Sequence, residues 1–258
     1  YDNSTGAYQD TIEYHLVEVQ APDGYRIRTA DTVFSFEYAD DTTPVVTLQK
    51  TIENYQTKVE ISKKSFTDAV EISRAELQIS DASGNVVEEW ITDGTPKLIK
   101  SLEPGNYILK ETRAPFGYLI SEDVPFTVQD NGEIQKVVMY DKEVEGCIEV
   151  IKKDSDTDKL LAGAKFEIRD ASGTVLDTLV TDANGYAKSK NLFIGLYDEG
   201  TGAFKEYRTY HLVEVEAPAG YRIEVPEESF SFLYKDDKTP VVILQKTVGN
   251  YQTKVEIS

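Results

Sequence analysis

Apolar and polar residues alternate with period two along most of this chain, in short runs broken by Gly, Pro, Asn and Asp. The alternation predicts strands, because side chains two apart share one face of an extended backbone. β-Branched and aromatic residues fill the runs, and no segment follows a helical period. Over 55–143 the pattern predicts strands near 57–63, 75–80, 85–91, 97–101, 106–112, 124–129 and 134–141, with turns at Glu103-Pro104-Gly105 and Asn131-Gly132. Strands this short and closely connected suggest an all-β, two-sheet sandwich. From Ile148 the same order recurs, except that Phe193 to Arg208, rich in Gly, Asp and Tyr, is inserted. The insertion is expected to be a surface loop or an extra hairpin.

One phrase departs from simple patterning because it aims a carboxylate inward. It reads Tyr14-His15-Leu16-Val17-Glu18, returns as Tyr107-Ile108-Leu109-Lys110-Glu111, and returns again as Tyr210-His211-Leu212-Val213-Glu214; each time Ala-Pro-x-Gly-Tyr follows closely. Tyr, Leu and Glu share a face, so the Glu points into the apolar core, where an ionised carboxylate needs a charged partner or a proton. The outer two copies belong to a longer repeat in which Tyr14 recurs as Tyr210 and Asn54 as Asn250, and about two-thirds of residues 1–62 are identical to 197–258. The expected organisation is the second half of a long-type domain (1–54), a short-type domain (55–143), a long-type domain (144–250) and the opening strand of another short-type domain (251–258). The ends read as cut from a longer array.

A net charge of −19 with dispersed acidic residues argues against nucleic-acid binding, which needs a basic face. Cys147 is the single cysteine, so no disulfide framework forms within the chain; it reads as a small strand residue. No apolar run is long enough to span a membrane. No cofactor is expected, because no ligand-spaced cluster is present. Asp154-Ser155-Asp156-Thr157-Asp158 opens like a calcium loop, yet Lys159 stands where Gly is needed and Lys165 where Glu is needed, so a turn is expected. His15 and His211, on the opposite face of their strands, read as exposed, and Trp90 and the tyrosines as core and strand residues.

The first strand of each complete domain adds a lysine to the inward face. Alternation in Val59-Glu60-Ile61-Ser62-Lys63 and in Ile148-Glu149-Val150-Ile151-Lys152 points Lys63 and Lys152 inward, and Val137-Val138-Met139-Tyr140-Asp141 does the same for Asp141. A buried ion cluster is one reading, although such groups are costly to desolvate and seldom add net stability. The sharper reading keeps Lys63 neutral and nucleophilic while a protonated Glu111 polarises the Asp141 carboxyl. Attack then expels water and leaves an amide cross-link.

The residues that carry this chemistry also carry a resemblance. Ile61-Ser62-Lys63-Lys64, Glu111-Thr112-Arg113-Ala114-Pro115-Phe116-Gly117-Tyr118, Pro125-Phe126-Thr127-Val128 and Val138-Met139-Tyr140-Asp141 resemble the Cna protein B-type (SpaA-like, prealbumin-like) domains of Gram-positive surface adhesins and pilins. The resemblance extends over essentially the whole chain and implies transthyretin-like sandwiches in which a spontaneous Lys–Asn or Lys–Asp isopeptide bond joins first and last strands. By matching motif it implies Lys63 as nucleophile, Asp141 as acceptor and Glu111 as catalyst, with Lys152 and Glu214 as the long-type pair. Direct alignment puts Gln245 at the long-type acceptor position, whereas longer members end in a strand with Asn just before the next domain, which Asn250 matches, as does Asn54 beside Glu18. Alternation from Leu244 through Val248 turns Asn250 inward, but it also turns Lys246 inward unless a bulge resets the register. Ser65 and Ser73-Arg74-Ala75 depart from the usual motif and read as surface and turn changes.

Three classes of function follow. The favoured one is a structural stalk of a cell-surface adhesin or pilus-like protein, whose partners are neighbouring repeat domains and whose chemistry is one self-directed reaction per domain. Its expected location is extracellular, at the cell surface, with no membrane contact in this segment. The alternative is an adhesin module that grips a host matrix protein or glycan through 193–208. An enzyme using paired carboxylates is disfavoured, because the carboxylates face a core rather than a cleft.

Overall fold

The structure, a computed structural model, describes residues 4–5, 11–40 and 42–254, and no helix occurs among them. Packing divides the chain into two compact units. Residues 1–61, 98–107 and 126–137 form the first, and residues 62–97, 108–125 and 138–258 the second.

Four short strands occupy the start of the chain: β1 (Tyr14–Val17), β2 (Arg26–Ile27), β3 (Asp31–Phe34) and β4 (Asn54–Tyr55). β1 pairs with β3 and β2 with β4, both antiparallel. The next seven are β5 (Lys58–Ser65), β6 (Ser73–Asp81), β7 (Val86–Asp93), β8 (Lys97–Lys100), β9 (Gly105–Arg113), β10 (Val124–Val128) and β11 (Ile134–Asp141). They lie within two residues of the seven expected from alternation. Their sheets run β10-β9-β6-β7 and β11-β5-β8.

The remaining strands are β12 (Glu145–Asp154), β13 (Lys165–Asp170), β14 (Val175–Val180), β15 (Tyr186–Lys188), β16 (Leu192–Phe193), β17 (Gly195–Tyr197), β18 (Phe204–Tyr207), β19 (Tyr210–Glu216), β20 (Tyr221–Arg222), β21 (Glu227–Phe230) and β22 (Val241–Gln252). One sheet runs β15-β12-β22-β20, with β16 also on β12, and the other β14-β13-β19-β21. Ile148 and Val150 of β12 meet Phe166 and Ile168 of β13, Tyr210 and Leu212 of β19, and Phe230 and Phe232 in one buried cluster. Alternation places these residues inward, and burying them supplies the main driving force for the sandwich. Gly146 is required where β12 passes Phe232, because a Cβ there would lie 2.2 Å from the ring. Cys147 is buried in the same strand.

β12 is paired along all its length with β22, in parallel, Glu145 opposite Val241 through to Asp154 opposite Asn250. No bulge interrupts them. Lys246 therefore shares the inward face with Leu244 and Val248, and it escapes the core by reaching an ion pair with Glu228. A long aliphatic stem makes this cheap, since the stem covers apolar surface while the ammonium stays hydrated.

The 193–208 insertion forms the hairpin β17–β18. Tyr197 donates from its hydroxyl to the Gly117 carbonyl at 2.9 Å, Tyr118 donates to the Gly202 carbonyl at 2.8 Å, and the Phe116 and Phe204 rings meet edge to face. Asp154 accepts from the Asp156 and Thr157 amides at 2.8 and 3.0 Å and from the Tyr221 hydroxyl at 2.8 Å, the arrangement of a capped turn. Among the described residues no group of three or more metal-ligating side chains is assembled. His15 is exposed and pairs with Asp31, whereas Trp90 is half-buried in β7 with Lys97 over its ring, so it is a strand residue outside the core.

Candidate functional site: two buried lysine–carboxyl clusters

The phrase that recurs in the sequence delivers Glu111 from β9 and Glu214 from β19, each on the face that carries the preceding Tyr and Leu. First strands deliver Lys63 and Lys152. Last strands deliver Asp141 and Asn250. All six are essentially removed from solvent: Lys63 2%, Glu111 1%, Asp141 0%, Lys152 0%, Glu214 3% and Asn250 0% exposed. Burying a lone charge is prohibitively costly, so the geometry within each cluster decides what these groups do.

In the long-type cluster Lys152 Nζ donates to Glu214 Oε2 at 2.8 Å and to Asn250 Oδ1 at 2.6 Å, while Asn250 Nδ2 donates to Glu214 Oε1 at 2.8 Å. Glu214 thus spans the amine and the amide nitrogen with its two oxygens. The Lys152 ammonium lies 5.7 Å from the Phe166 ring, which stands opposite Glu214 on the neighbouring strand. Burial pulls the Lys152 pKa below the ordinary lysine range, and contact with Glu214 opposes this only in part. Gln245 lies on the exposed face of β22, opposite Glu149, away from the cluster.

In the short-type cluster Lys63 Nζ contacts Asp141 Oδ1 and stands 3.1 Å from Glu111 Oε1. Burial, reinforced by the negative charge of Asp141 and opposed by Lys63, pushes Glu111 up to about 7. Glu111 Oε1 and Asp141 Oδ2 are buried without a hydrogen-bond partner. Ser121, not singled out by the sequence reading, also belongs here. Its amide donates to Glu111 Oε2 at 2.7 Å, and its hydroxyl lies 2.9 Å from Lys63 Nζ and contacts Asp141 Oδ1. A signal existed: ten residues beyond the phrase glutamate, the short-type copy has Ser121 where the others have Arg28 and Glu224.

The third copy holds only part of the set. Asn54 Nδ2 donates to Glu18 Oε1 at 2.8 Å, the bond that Asn250 makes to Glu214. Glu18 Oε2 and Asn54 Oδ1 are left without partners, and their equivalents are the two atoms that Lys152 occupies. Residues 1–49 contain no lysine. Tyr14 and Leu16 are 43% and 44% exposed, whereas Tyr210 and Leu212 are 2% and 3% exposed in the core they share with Ile148 and Val150 of β12.

The fold and clusters can be set beside known proteins. The family model of SpaA prealbumin-like fold domains matches twice, over residues 57–143 and 146–248. The chain belongs to the SpaA family of prealbumin-like fold domains. Among solved structures, the Bacillus anthracis TIE protein is similar at 29% identity and a TM-score of 0.59, over 94% of this chain and 42% of that one. This chain therefore spans less than half of that protein. A streptococcal ancillary pilin is similar at 21% identity and a TM-score of 0.35, over 95% and 76% of the two chains. The C-terminal fragment of the pilus adhesin SpaC from Lactobacillus rhamnosus GG is similar at 17% identity and a TM-score of 0.42, over 78% and 100%. No curated protein sequence matches. Among the described residues of this SpaA-family chain, no helix is long and apolar enough to cross a membrane.

Proposed function

We propose that this chain is a shaft segment of a Gram-positive cell-surface fibre, pilus or adhesin stalk, whose domains are stiffened by self-made isopeptide bonds. The repeat units are the half-domain 1–54, the short-type domain 55–143, the long-type domain 144–250 and the start of another at 251–258, of which 255–258 lie outside the described residues. The observation that carries the reading is the buried contact of Lys152 Nζ with both Glu214 and Asn250. In the long-type site the Lys152 amine attacks Asn250 Cγ; the Nζ–Cγ bond forms, the Cγ–Nδ2 bond breaks and ammonia leaves. Glu214, touching both nitrogens, takes the proton from one and gives it to the other. In the short-type site Lys63 attacks Asp141 Cγ and water leaves, with protonated Glu111 polarising the carboxyl. Each domain reacts once and turns over nothing.

The consequence is mechanical. β12 opens the long-type domain and β22 closes it, and the two lie side by side and parallel. An amide between them passes tension from one to the other without extending the residues in between. The closed loops, 78 residues for Lys63–Asp141 and 98 for Lys152–Asn250, correspond to roughly 4–5 kcal/mol of lost unfolded-state entropy by analogy with disulfides. Slow unfolding protects a stalk that works outside the cell against force and proteolysis. Binding of a host matrix protein or glycan through 193–208 has less support, because Tyr197 and Phe204 of that hairpin already pack on Gly117 and Phe116.

Intact mass of the 258-residue chain tests the proposal. A deficit of one water and one ammonia, mapped to Lys63–Asp141 and Lys152–Asn250, is the expected result. The full unmodified mass would overturn it.

A further inference from the structure

The long-type site contains one group, Glu214, that touches both the attacking and the departing nitrogen. Glu111 is placed differently. Its Oε2 is held by the Ser121 amide, and only its Oε1 faces Lys63. The group that touches both Lys63 Nζ and an Asp141 oxygen is the Ser121 hydroxyl, at 2.9 Å from the amine and in contact with Oδ1.

We infer that Ser121 is the proton relay for condensation of Lys63 with Asp141. This rests on the isopeptide reading above and adds a residue to it. A hydroxyl accepts at one lone pair while donating its own proton, so Ser121 can accept from Nζ and donate to Oδ1 together. The Tyr140 carbonyl, 2.7 Å from the same oxygen, offers the hydroxyl proton a second acceptor and keeps Oγ close to Asp141. Before attack the Lys63 ammonium passes one proton through Ser121 Oγ to Asp141 Oδ1, which leaves a neutral amine; as the Nζ–Cγ bond forms, a second proton follows the same path from Nζ through Oγ to Oδ1. The Cγ–Oδ1 bond then breaks and Oδ1 leaves as water, having received two protons in all, both originating on nitrogen. Serine ends as it began. No oxidant, metal or further reactant is needed.

Acceptor chemistry explains why the two sites differ. Asn250 presents a donor and an acceptor, so a carboxylate that accepts at both oxygens can bridge it to a lysine. An ionised Asp141 presents only acceptors, and the bridge must donate at that end. The corresponding positions in the other two copies, Arg28 and Glu224, carry no hydroxyl, which fits their asparagine acceptors.

The test follows the whole chain from cell-free synthesis, quenched at intervals, weighed intact and mapped by digestion. Ser121→Ala preserves the amide bond to Glu111 and deletes only the hydroxyl. Water loss at Lys63–Asp141 should slow by about 100-fold or more, within the usual range for a positioned acid–base group. Ammonia loss at Lys152–Asn250 in the same molecules should keep its wild-type rate. Ser121→Thr restores a hydroxyl and should recover the rate to within about tenfold. A far-ultraviolet circular dichroism spectrum matching the wild type checks that each variant folds. The relay is overturned if Ser121→Ala condenses at the wild-type rate, or if folded Ser121→Thr is as slow as Ser121→Ala. A wild-type chain that never loses water from this pair overturns the condensation itself.

Discussion

The short-type and long-type clusters take their lysine and glutamate from equivalent strands, yet they use the glutamate in opposite ways. Glu214 spreads both oxygens over Lys152 and Asn250, whereas Glu111 is pinned at one oxygen by the Ser121 amide and held protonated by burial up to about 7. Under the proposed chemistry, the acceptor sets what each site must supply. An amide supplies its own N–H donors, but a carboxylate must be brought a proton from elsewhere. The 1–54 copy makes the same point by subtraction, because its Glu18–Asn54 bond persists while the two oxygens facing the missing amine stay unsatisfied.

The largest effect should come from deleting either glutamate. Glu111→Ala should abolish water loss at Lys63–Asp141 while ammonia loss at Lys152–Asn250 continues, and Glu214→Ala should do the reverse; intact mass after overnight incubation reads both. If one substitution silenced both sites, their independence would be lost. Next comes stability. Asp141→Ala or Asn250→Ala removes one cross-link, and the affected domain should lose roughly 4–5 kcal/mol in denaturant titration, beyond any packing loss.

The pH dependence should separate the sites further. An ordinary glutamate gives up its proton near pH 4–5, but Glu111 keeps it to about 7, so water loss at the short-type site should fall as pH rises through about 7. At the long-type site the lowered Lys152 pKa means that the free amine appears at lower pH than for an exposed lysine, and ammonia loss should rise with pH and level off early. Time-resolved mass across pH 5–10 measures both, and parallel profiles would contradict the comparison. The smallest effect is expected at Lys246. It faces inward like Lys152 but escapes to Glu228, and Lys246→Ala should cost less than about 1 kcal/mol and leave the cross-link intact.

Much of this was legible in the chain itself. Period-two alternation located β5 to β11 within two residues and turned Lys63, Glu111, Asp141, Lys152 and Glu214 inward, because side-chain direction in a strand is a local property of the backbone. Alternation from Leu244 through Val248 turned Asn250, and not Gln245, inward. Three things were not local. Lys246 obeys the same parity as Asn250, and only the position of Glu228 on β21 explains how its charge escapes. The 193–208 hairpin needed its packing partners, Phe116 to Tyr118, before its buried face could be recognised. Ser121 lies in an irregular stretch after β9, where parity assigns no direction, and it meets Lys63 and Asp141 only because three separate segments converge. Which charged groups enter a core follows from alternation along each strand and can be read from the residues alone. The tertiary structure decided which of them touch, and through which atoms, since hydrogen-bond geometry between distant segments depends on sheet order and register.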